Sequence, residues 1–122
     1  MNEETAKQFA AEWLDAWNSH DLDRILAHYA DNIEFYSPFV AKALGEPSGK
    51  VSGKDHLGAY FARALAAYPE LHFDLFTVLV GVKSVTLHYR SVNRLIAAEV
   101  MLFDDRGKVA TVLAHYAKPE HP

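Results

Sequence analysis

The fold is decided by residues 17–38, WNSHDLDRILAHYADNIEFYSP. Residues 18–20 interrupt a helical pattern, and Asp21 is suited to cap the N-terminus of a new helix through its carboxylate. Apolar side chains then recur at helical spacing as far as Tyr29, which predicts a short second helix. Asp31 and the asparagine after it favour a local turn, so we expect the helix to end there.

The same stretch continues as a predicted strand. Ile33 and Phe35 point to one side of it and Glu34 points to the other, because side chains alternate along a strand. Pro38 ends the strand, because proline has no backbone N–H to donate to a neighbouring strand.

A first helix is predicted over residues 3–19. Its apolar stripe occupies positions i, i+4, i+7 and i+8 and consists of Phe9, Trp13, Ala16 and Trp17. Two tryptophans on one stripe fit a hydrophobic core. Because a buried indole N–H needs a hydrogen-bond acceptor, the same side chains are alternatively suited to contact a ligand in a cavity.

The longest irregular stretch covers residues 38–53 and is rich in glycine and proline. Residues 39–44 are able to form a short turn of helix inside it. Long loops in small domains often form the lid or mouth of a binding site, so we predict that this loop forms the rim of a pocket. Its lysines, Lys42 among them, either attract an anion or simply serve solubility. A third helix is predicted over residues 54–67, with Pro69 after its end.

After residue 70 the apolar pattern changes to a period of two, which predicts strands. Four long antiparallel strands are expected, at residues 70–80, 85–90, 94–103 and 108–117. Helices followed by antiparallel strands are typical of the α+β class. We therefore predict one domain, residues 1–122, in which three helices pack on a strongly curved antiparallel sheet to form a cone-shaped α+β barrel.

Composition excludes several classes of protein. A length of 122 residues fits one domain, and a hydrophobic content of 50% is enough for a core. The net charge of −4, with scattered basic residues, argues against nucleic-acid binding. The chain has no cysteine, its acidic N-terminus is unlike a signal peptide, and no apolar run approaches the ~20 residues of a membrane helix. We expect a cytoplasmic protein that does not bind membranes.

The strand predicted at residues 94–103 is apolar on both faces. A sheet face open to water is normally polar, so both faces of this strand should be covered. The helices cover one face, and we predict that a second copy of the chain covers the other, giving a homodimer through the outer face of the sheet.

Glu99 is the one charged residue on the face that it shares with Ala97 and Met101. An unpaired carboxylate in apolar surroundings is costly, so it must raise its pKa, find a partner or meet water in a cavity. Such groups are candidates for functional sites. The alternative is a structural carboxylate that is bonded to a Trp, Tyr or His, or one that is hydrated at a strand edge.

The seven histidines do not form a metal-binding pattern, since no HExxH motif or convincing HxxxH pair occurs. The sequence therefore predicts neither a metal site nor a cofactor. His115 is the exception that invites a role in catalysis. If Val112 and Tyr116 face the pocket, His115 faces the dimer partner; a one-residue bulge would turn it towards Glu99 as an acid–base pair.

The run Asn18-x-x-Asp21-Leu-Asp23, the later Tyr29-Ala-Asp and the strand that ends at Ser37-Pro38 resemble the nuclear transport factor 2-like superfamily. Within it, the chain is most similar to the SnoaL-like and ketosteroid isomerase-like branch. The resemblance extends through the closing hairpin at residues 103–109. It implies the cone-shaped fold and a dimer, but this fold carries many functions.

The resemblance also implies roles for three positions. In ketosteroid isomerase-like members, a protonated acid and a tyrosine polarise a carbonyl group while an aspartate moves the proton. Glu99 takes the position of the acid, Trp13 that of the tyrosine and Ser37 that of the aspartate base. Serine is not a useful base near neutral pH without an activating partner, which argues against steroid-type isomerisation.

We therefore predict a pocket for a small hydrophobic molecule that carries a carbonyl or hydroxyl group. The predicted catalytic residues are Glu99, Ser37 and His115, and the predicted lining is Trp13, Trp17, Tyr29, Tyr60, Met101, Val112 and Tyr116. The function is either an isomerase, cyclase, dehydratase or hydrolase with Glu99 as acid or base, or a small-molecule-binding module without chemistry. A structural or interaction protein that works through the outer sheet face is the third alternative.

Overall fold

The computed structural model describes residues 1–119. Over that range the chain forms four α-helices, which are α1 (Glu3–Asn18), α2 (Leu22–Leu26), α3 (Pro38–Leu44) and α4 (Lys54–Ala67). It forms six strands, which are β1 (Tyr29–Tyr36), β2 (Lys50–Ser52), β3 (Asp74–Val80), β4 (Ser84–Arg90), β5 (Ile96–Phe103) and β6 (Val109–Ala117). The α+β class is confirmed.

The strands form one curved, open sheet in the order β2-β1-β6-β5-β4-β3. The last four strands of the chain pair antiparallel with one another, as expected from their sequence. Strand β1 is the exception, since it runs parallel to β6 and antiparallel to β2. The helices lie against the concave side of the sheet, and the core fills the space between them.

The predicted second helix is wrong at its C-terminal end. Asp21 caps α2 as expected, and its carboxylate accepts a hydrogen bond from the Arg24 backbone N–H at 3.2 Å. The helix ends at Leu26, however, and Tyr29 belongs to β1, where it is paired with Val109. The Val109 N–H donates to the carbonyl of His28 at 2.9 Å. Pairing with β6 therefore prevails over the helical spacing of the apolar side chains, and residues 28–29 lie outside the helix.

The loop predicted at residues 38–53 contains regular structure, namely α3 and the short strand β2. Ser37 caps α3, since its hydroxyl accepts from the Phe39 N–H at 3.2 Å, and Pro38 occupies the first turn. Gly45 ends the helix in the left-handed conformation, with φ of 66°. The rim of this part of the molecule is therefore a helix rather than an irregular loop.

Side chains from residues 17–38 form hydrogen bonds that connect the end of α1 to the segment between α4 and β3. Asn18 donates to the carbonyl of Phe73 at 3.0 Å and accepts from its N–H at 2.7 Å. The His20 Nε2 lies 2.8 Å from the carbonyl of Leu71. These contacts hold Leu71 and Phe73 against the aromatic cluster around Trp17.

No helix within the described residues is both long enough and apolar enough to cross a membrane.

Replacement of Gly49 by alanine should destabilise the protein more than the same change at Gly45. Both glycines have nearly equal positive φ values, 67° and 66°, so the backbone strain is matched at about 1 kcal/mol. A Cβ at Gly49 would lie 3.0 Å from the Ser37 carbonyl oxygen, whereas a Cβ at Gly45 meets nothing within 4 Å. We expect Gly49→Ala to lower the free energy of unfolding by roughly 2–3 kcal/mol in urea titrations. Equal losses in the two variants would contradict this packing.

Candidate functional site

A cavity of about 490 Å³ lies between the concave face of the sheet and the helices α3 and α4. Its wall is largely aromatic and apolar, with a few polar groups from β4, β5, β6 and the turn at residues 91–93. Four of the predicted residues line it, namely Trp17, Tyr60, Glu99 and Tyr116. A mostly apolar cavity of this size with few polar groups is typical of small-molecule sites.

Glu99 lies on β5 with its side chain directed into this cavity. It is paired with Leu87 on one side and Ala114 on the other, and it is only 5% exposed. The hydroxyl of Tyr89, on the neighbouring strand, donates a hydrogen bond to the Glu99 Oε1. Tyr89 itself is paired with Ala97, so the two side chains are diagonal neighbours on the same face of the sheet.

Burial dominates the electrostatics of this pair. Loss of solvation raises the pKa of Glu99 to about 7 from its ordinary value of 4.5, although the hydrogen bond from Tyr89 opposes the shift. Burial also raises the pKa of the Tyr89 phenol well above 10, and the negative charge of ionised Glu99 adds to that shift. Glu99 therefore has both protonation states within reach near neutral pH, while Tyr89 stays a hydrogen-bond donor.

Three further phenols lie on the cavity wall, those of Tyr60, Tyr68 and Tyr116. Burial raises the pKa of Tyr60 and of Tyr116, and in both cases a nearby Ser37 hydroxyl partly opposes the shift. Ser37 is itself buried and serves as the cap of α3. Its hydroxyl thus holds the start of a helix, and a serine hydroxyl is a weak nucleophile and a weak base unless a neighbouring base activates it.

Trp13 and Tyr29 form a layer behind the cavity. The Trp13 indole N–H donates to the Tyr29 hydroxyl at 3.3 Å, and both side chains are fully buried. The rings of Trp13 and Tyr89 pack edge to face, with 5.2 Å between their centres. This layer therefore supports Tyr89, the hydrogen-bond partner of Glu99, from the side opposite the cavity. The Trp17 indole N–H, at the cavity, has no acceptor among the described residues.

Several predicted residues lie outside the cavity wall. Met101 and Val112 face the concave side as expected, but they are paired with each other further along the sheet and are completely buried in the core. Trp13, Tyr29 and Ser37 lie behind the wall. Strand alternation identifies the correct face, but it does not show how far along that face the core gives way to a cavity.

The suggested pairing of His115 with Glu99 is corrected by the strand register. His115 is paired with Ala98 and is exposed on the convex face, where its Nδ1 lies 3.1 Å from the Leu113 carbonyl. The irregularity between these strands occurs next to Phe103, and the pairing is regular from there past His115. His115 therefore does not share the cavity with Glu99.

Tyr89 is the functional candidate that sequence reasoning missed. Its position in a period-two pattern with Val85 and Leu87 placed it on the inner face of β4. Pairing of β4 with β5 across the turn at residues 91–95 would have brought it next to Glu99. Phe39, Arg63, Ser91 and Asn93 are further cavity residues that lie on helices or turns, where the pattern carries less information.

The described residues contain no cluster of three or more His, Asp or Glu side chains that is arranged to hold a metal ion. The cavity wall offers phenol, indole, amide and hydroxyl groups, one carboxyl group and the cationic groups of Lys42 and Arg63. This donor set suits hydrogen bonding to an organic molecule.

The family model of the SnoaL-like domain matches residues 10–118. The chain belongs to this family. A solved structure of a SnoaL-like protein of unknown function from Burkholderia thailandensis is similar over 95% of this chain and 97% of its own, with 48% sequence identity and a TM-score of 0.93. The resemblance of residues 17–38 to the nuclear transport factor 2-like superfamily is thereby confirmed.

More distant structures share the fold of this SnoaL-like protein. An NTF-2 like protein of unknown function from Burkholderia xenovorans has 18% identity and a TM-score of 0.76, over 100% of this chain and 90% of its own. The epoxide hydrolase/cyclase-like enzyme SalBIII, which has a role in pyran ring formation in the polyether salinomycin, has 20% identity and a TM-score of 0.75, over 95% and 93%. No curated protein matches the chain.

The stability of the protein should fall as the pH rises from about 4.5 to 7. In this window the unfolded Glu99 has lost its proton while the folded one keeps it, so the folded state binds more protons. The shift of the pKa to about 7 corresponds to a loss of about 3 kcal/mol in the free energy of unfolding across the window.

Urea titrations at several pH values, on the wild type and on Glu99→Gln, measure this contribution. The difference between the two curves isolates the carboxyl group, because other titrating groups are common to both. Parallel curves across the window would show that Glu99 titrates normally and would contradict the burial of its charge.

Proposed function

We propose that this SnoaL-like protein binds a small, largely apolar molecule with a carbonyl, hydroxyl or ether oxygen, and that Glu99 acts on that oxygen as an acid–base catalyst. The observation that supports this is a single carboxyl group, 5% exposed, on the wall of an aromatic cavity, with its pKa raised to about 7 by burial. A catalytic acid is most effective when its pKa lies near the working pH.

The Glu99–Tyr89 pair suits a proton donor. Neutral Glu99 donates its proton to the substrate oxygen as a C–O bond breaks or as charge develops on that oxygen. The carboxylate that remains keeps the hydrogen bond from Tyr89. Glu99 regains a proton from the hydroxyl group or water molecule that forms the new C–O bond or, in loss of water, from the adjacent carbon as the double bond forms. Trp13 and Phe73 pack around Tyr89 and hold its hydroxyl in this position.

The residues on the cavity wall limit the types of reaction that are possible. Among the described residues on the wall, Glu99 is the only carboxyl group, and Ser37 lies behind the wall as a helix cap. A steroid-type double-bond shift needs a second group that removes a proton from carbon. Ring closure, ring opening or loss of water can proceed with one acid–base group, and SalBIII is an example of a cyclase-like enzyme on this fold.

The alternative function is binding without catalysis. The lack of a second acid–base group among the described cavity residues is the observation that favours it. In that case neutral Glu99 donates a hydrogen bond to the ligand, and no bond is broken.

Replacement of Glu99 by glutamine should abolish turnover while the fold is retained. The amide keeps the size of the side chain but cannot transfer a proton, so we expect the rate to fall by at least ~100-fold. The measurement is turnover of a panel of hydrophobic ketones, epoxides and tertiary alcohols, followed by mass spectrometry.

Glu4→Gln is the matched control, because Glu4 is exposed at the start of α1 and does not line the cavity. If ligands bind to the wild type but none is converted, and Glu99→Gln changes only their affinity, the catalytic proposal fails and the binding function takes its place.

We also propose that a second copy of the chain packs on the convex face of the sheet. Leu102 and Leu113 are 41% and 39% exposed there. Val100, two residues before Leu102 on β5, is paired with Leu113 on β6. Ile96 and Ala98 extend this apolar surface along β5. A contiguous apolar surface on a sheet is typical of an interface between subunits.

Leu102→Asp should therefore convert a dimer into a monomer, because it places a charge within the proposed interface. Light scattering coupled to size-exclusion chromatography gives the mass directly. Val82→Asp is the control, since Val82 is 88% exposed in the turn between β3 and β4. A wild-type protein that elutes as a monomer at micromolar concentration would rule out this interface.

A further inference from the structure

Two cations lie on the wall of the Glu99 cavity, and they come from the two helices that form its edge. Lys42 belongs to the last turn of α3, and Arg63 belongs to the second half of α4. Both side chains are exposed. Within residues 1–119, neither forms an ion pair or a side-chain hydrogen bond.

The sheet side of the cavity carries an acidic group instead of cations. Glu99 is the only acidic residue of the described wall, and it is buried on β5 beneath the aromatic side chains. The chain as a whole carries a net charge of −4, whereas the edge of this cavity carries two positive charges that are not paired within residues 1–119. Cations grouped at a cleft attract ligands of the opposite charge.

Arg63 lies three residues after Tyr60 on α4, and both residues line the cavity. Residues at this spacing are neighbours on one side of a helix. Burial raises the pKa of Tyr60, and the Ser37 hydroxyl and, to a smaller extent, the positive charge of Arg63 oppose that shift. A ligand group at Tyr60 therefore lies on the same side of α4 as this cation.

We propose that the ligand of this cavity is an amphiphilic acid, with a carboxylate held by Lys42 and Arg63 at the edge and an oxygen of its apolar body at Glu99. The proposal rests on the proposed function for the placement of that oxygen. The aromatic wall, including Phe35, Phe39 and Phe61, contacts the body of the ligand between the two ends.

The volume of the cavity limits the size of this acid. A space of about 490 Å³ equals roughly sixteen waters at their share of liquid volume, about 30 Å³ each. A flat acid of about fifteen non-hydrogen atoms matches that space. A suitable probe is 6-acetyl-2-naphthoic acid, which has a ketone and a carboxylate at opposite ends of an apolar ring system, and its methyl ester is the uncharged counterpart.

The test compares the dissociation constants of the acid and its methyl ester by isothermal titration calorimetry at low salt. We expect the wild type to bind the acid about fivefold more tightly than the ester, because exposed ion pairs are individually weak and two act together. The preference should shrink at high salt, since salt screens exposed charges. In Lys42→Gln/Arg63→Gln the ratio of the two dissociation constants should fall to about one, so that the acid binds no better than the ester.

Arg106→Gln/Lys118→Gln is the charge-matched control, because it also removes two positive charges and both residues are exposed and do not line the cavity. It should keep the preference for the acid. Equal binding of acid and ester to the wild type would overturn the anion site and leave the acid–base proposal standing, since that proposal is judged by Glu99-dependent turnover. A preference for the acid that Lys42→Gln/Arg63→Gln does not reduce would also overturn it.

Discussion

The burial of the Glu99 carboxyl group against the Tyr89 hydroxyl is the constraint on which the rest of this structure depends. A carboxylate removed from water is costly, and one hydrogen bond from a phenol offsets only part of that cost. The group therefore shifts its pKa towards neutrality, and it lies beside a cavity instead of inside a packed core. Most of the neighbouring elements serve this arrangement: β4 brings Tyr89 alongside β5, Trp13 supports Tyr89 from behind, and α4 covers the cavity.

Different parts of the fold hold the separate features of this cavity. The register of β5 between β4 and β6 is regular around Glu99, so backbone pairing directs this side chain to the inner face of the sheet. Ser37 has a separate structural role, because its hydroxyl caps the start of α3. Lys42 and Arg63 lie on helices that contribute little to the strand pairing, so the proposed anion site is separable from the proposed acid–base group.

Part of the fold and of the site could be predicted from sequence, because period-two alternation fixes the face of a strand. Period-two alternation placed Glu99 on the inner face of the sheet and His115 on the outer face unless a bulge intervened. The pairing of β5 with β6 has no bulge near His115. Prediction from periodicity failed at Tyr29, where pairing with β6 overrides helical spacing, a long-range contact that local periodicity does not contain. It also failed for Met101 and Val112, which lie on the correct face but in the core, since alternation carries no information on depth. Tyr89 was missed because a diagonal contact depends on strand register.

The most direct test of the account is the pKa of Glu99 itself. Carbon-13 NMR of protein labelled at the glutamate carboxyl groups follows each one through a pH titration, and Glu99→Gln assigns the resonance by its disappearance. The account predicts a midpoint near 7 for this one carboxyl group, displaced from the ordinary value of 4.5. A midpoint close to 4.5 would show that Glu99 is solvated like a surface side chain, and it would contradict both the buried pair with Tyr89 and the acid–base role built on it.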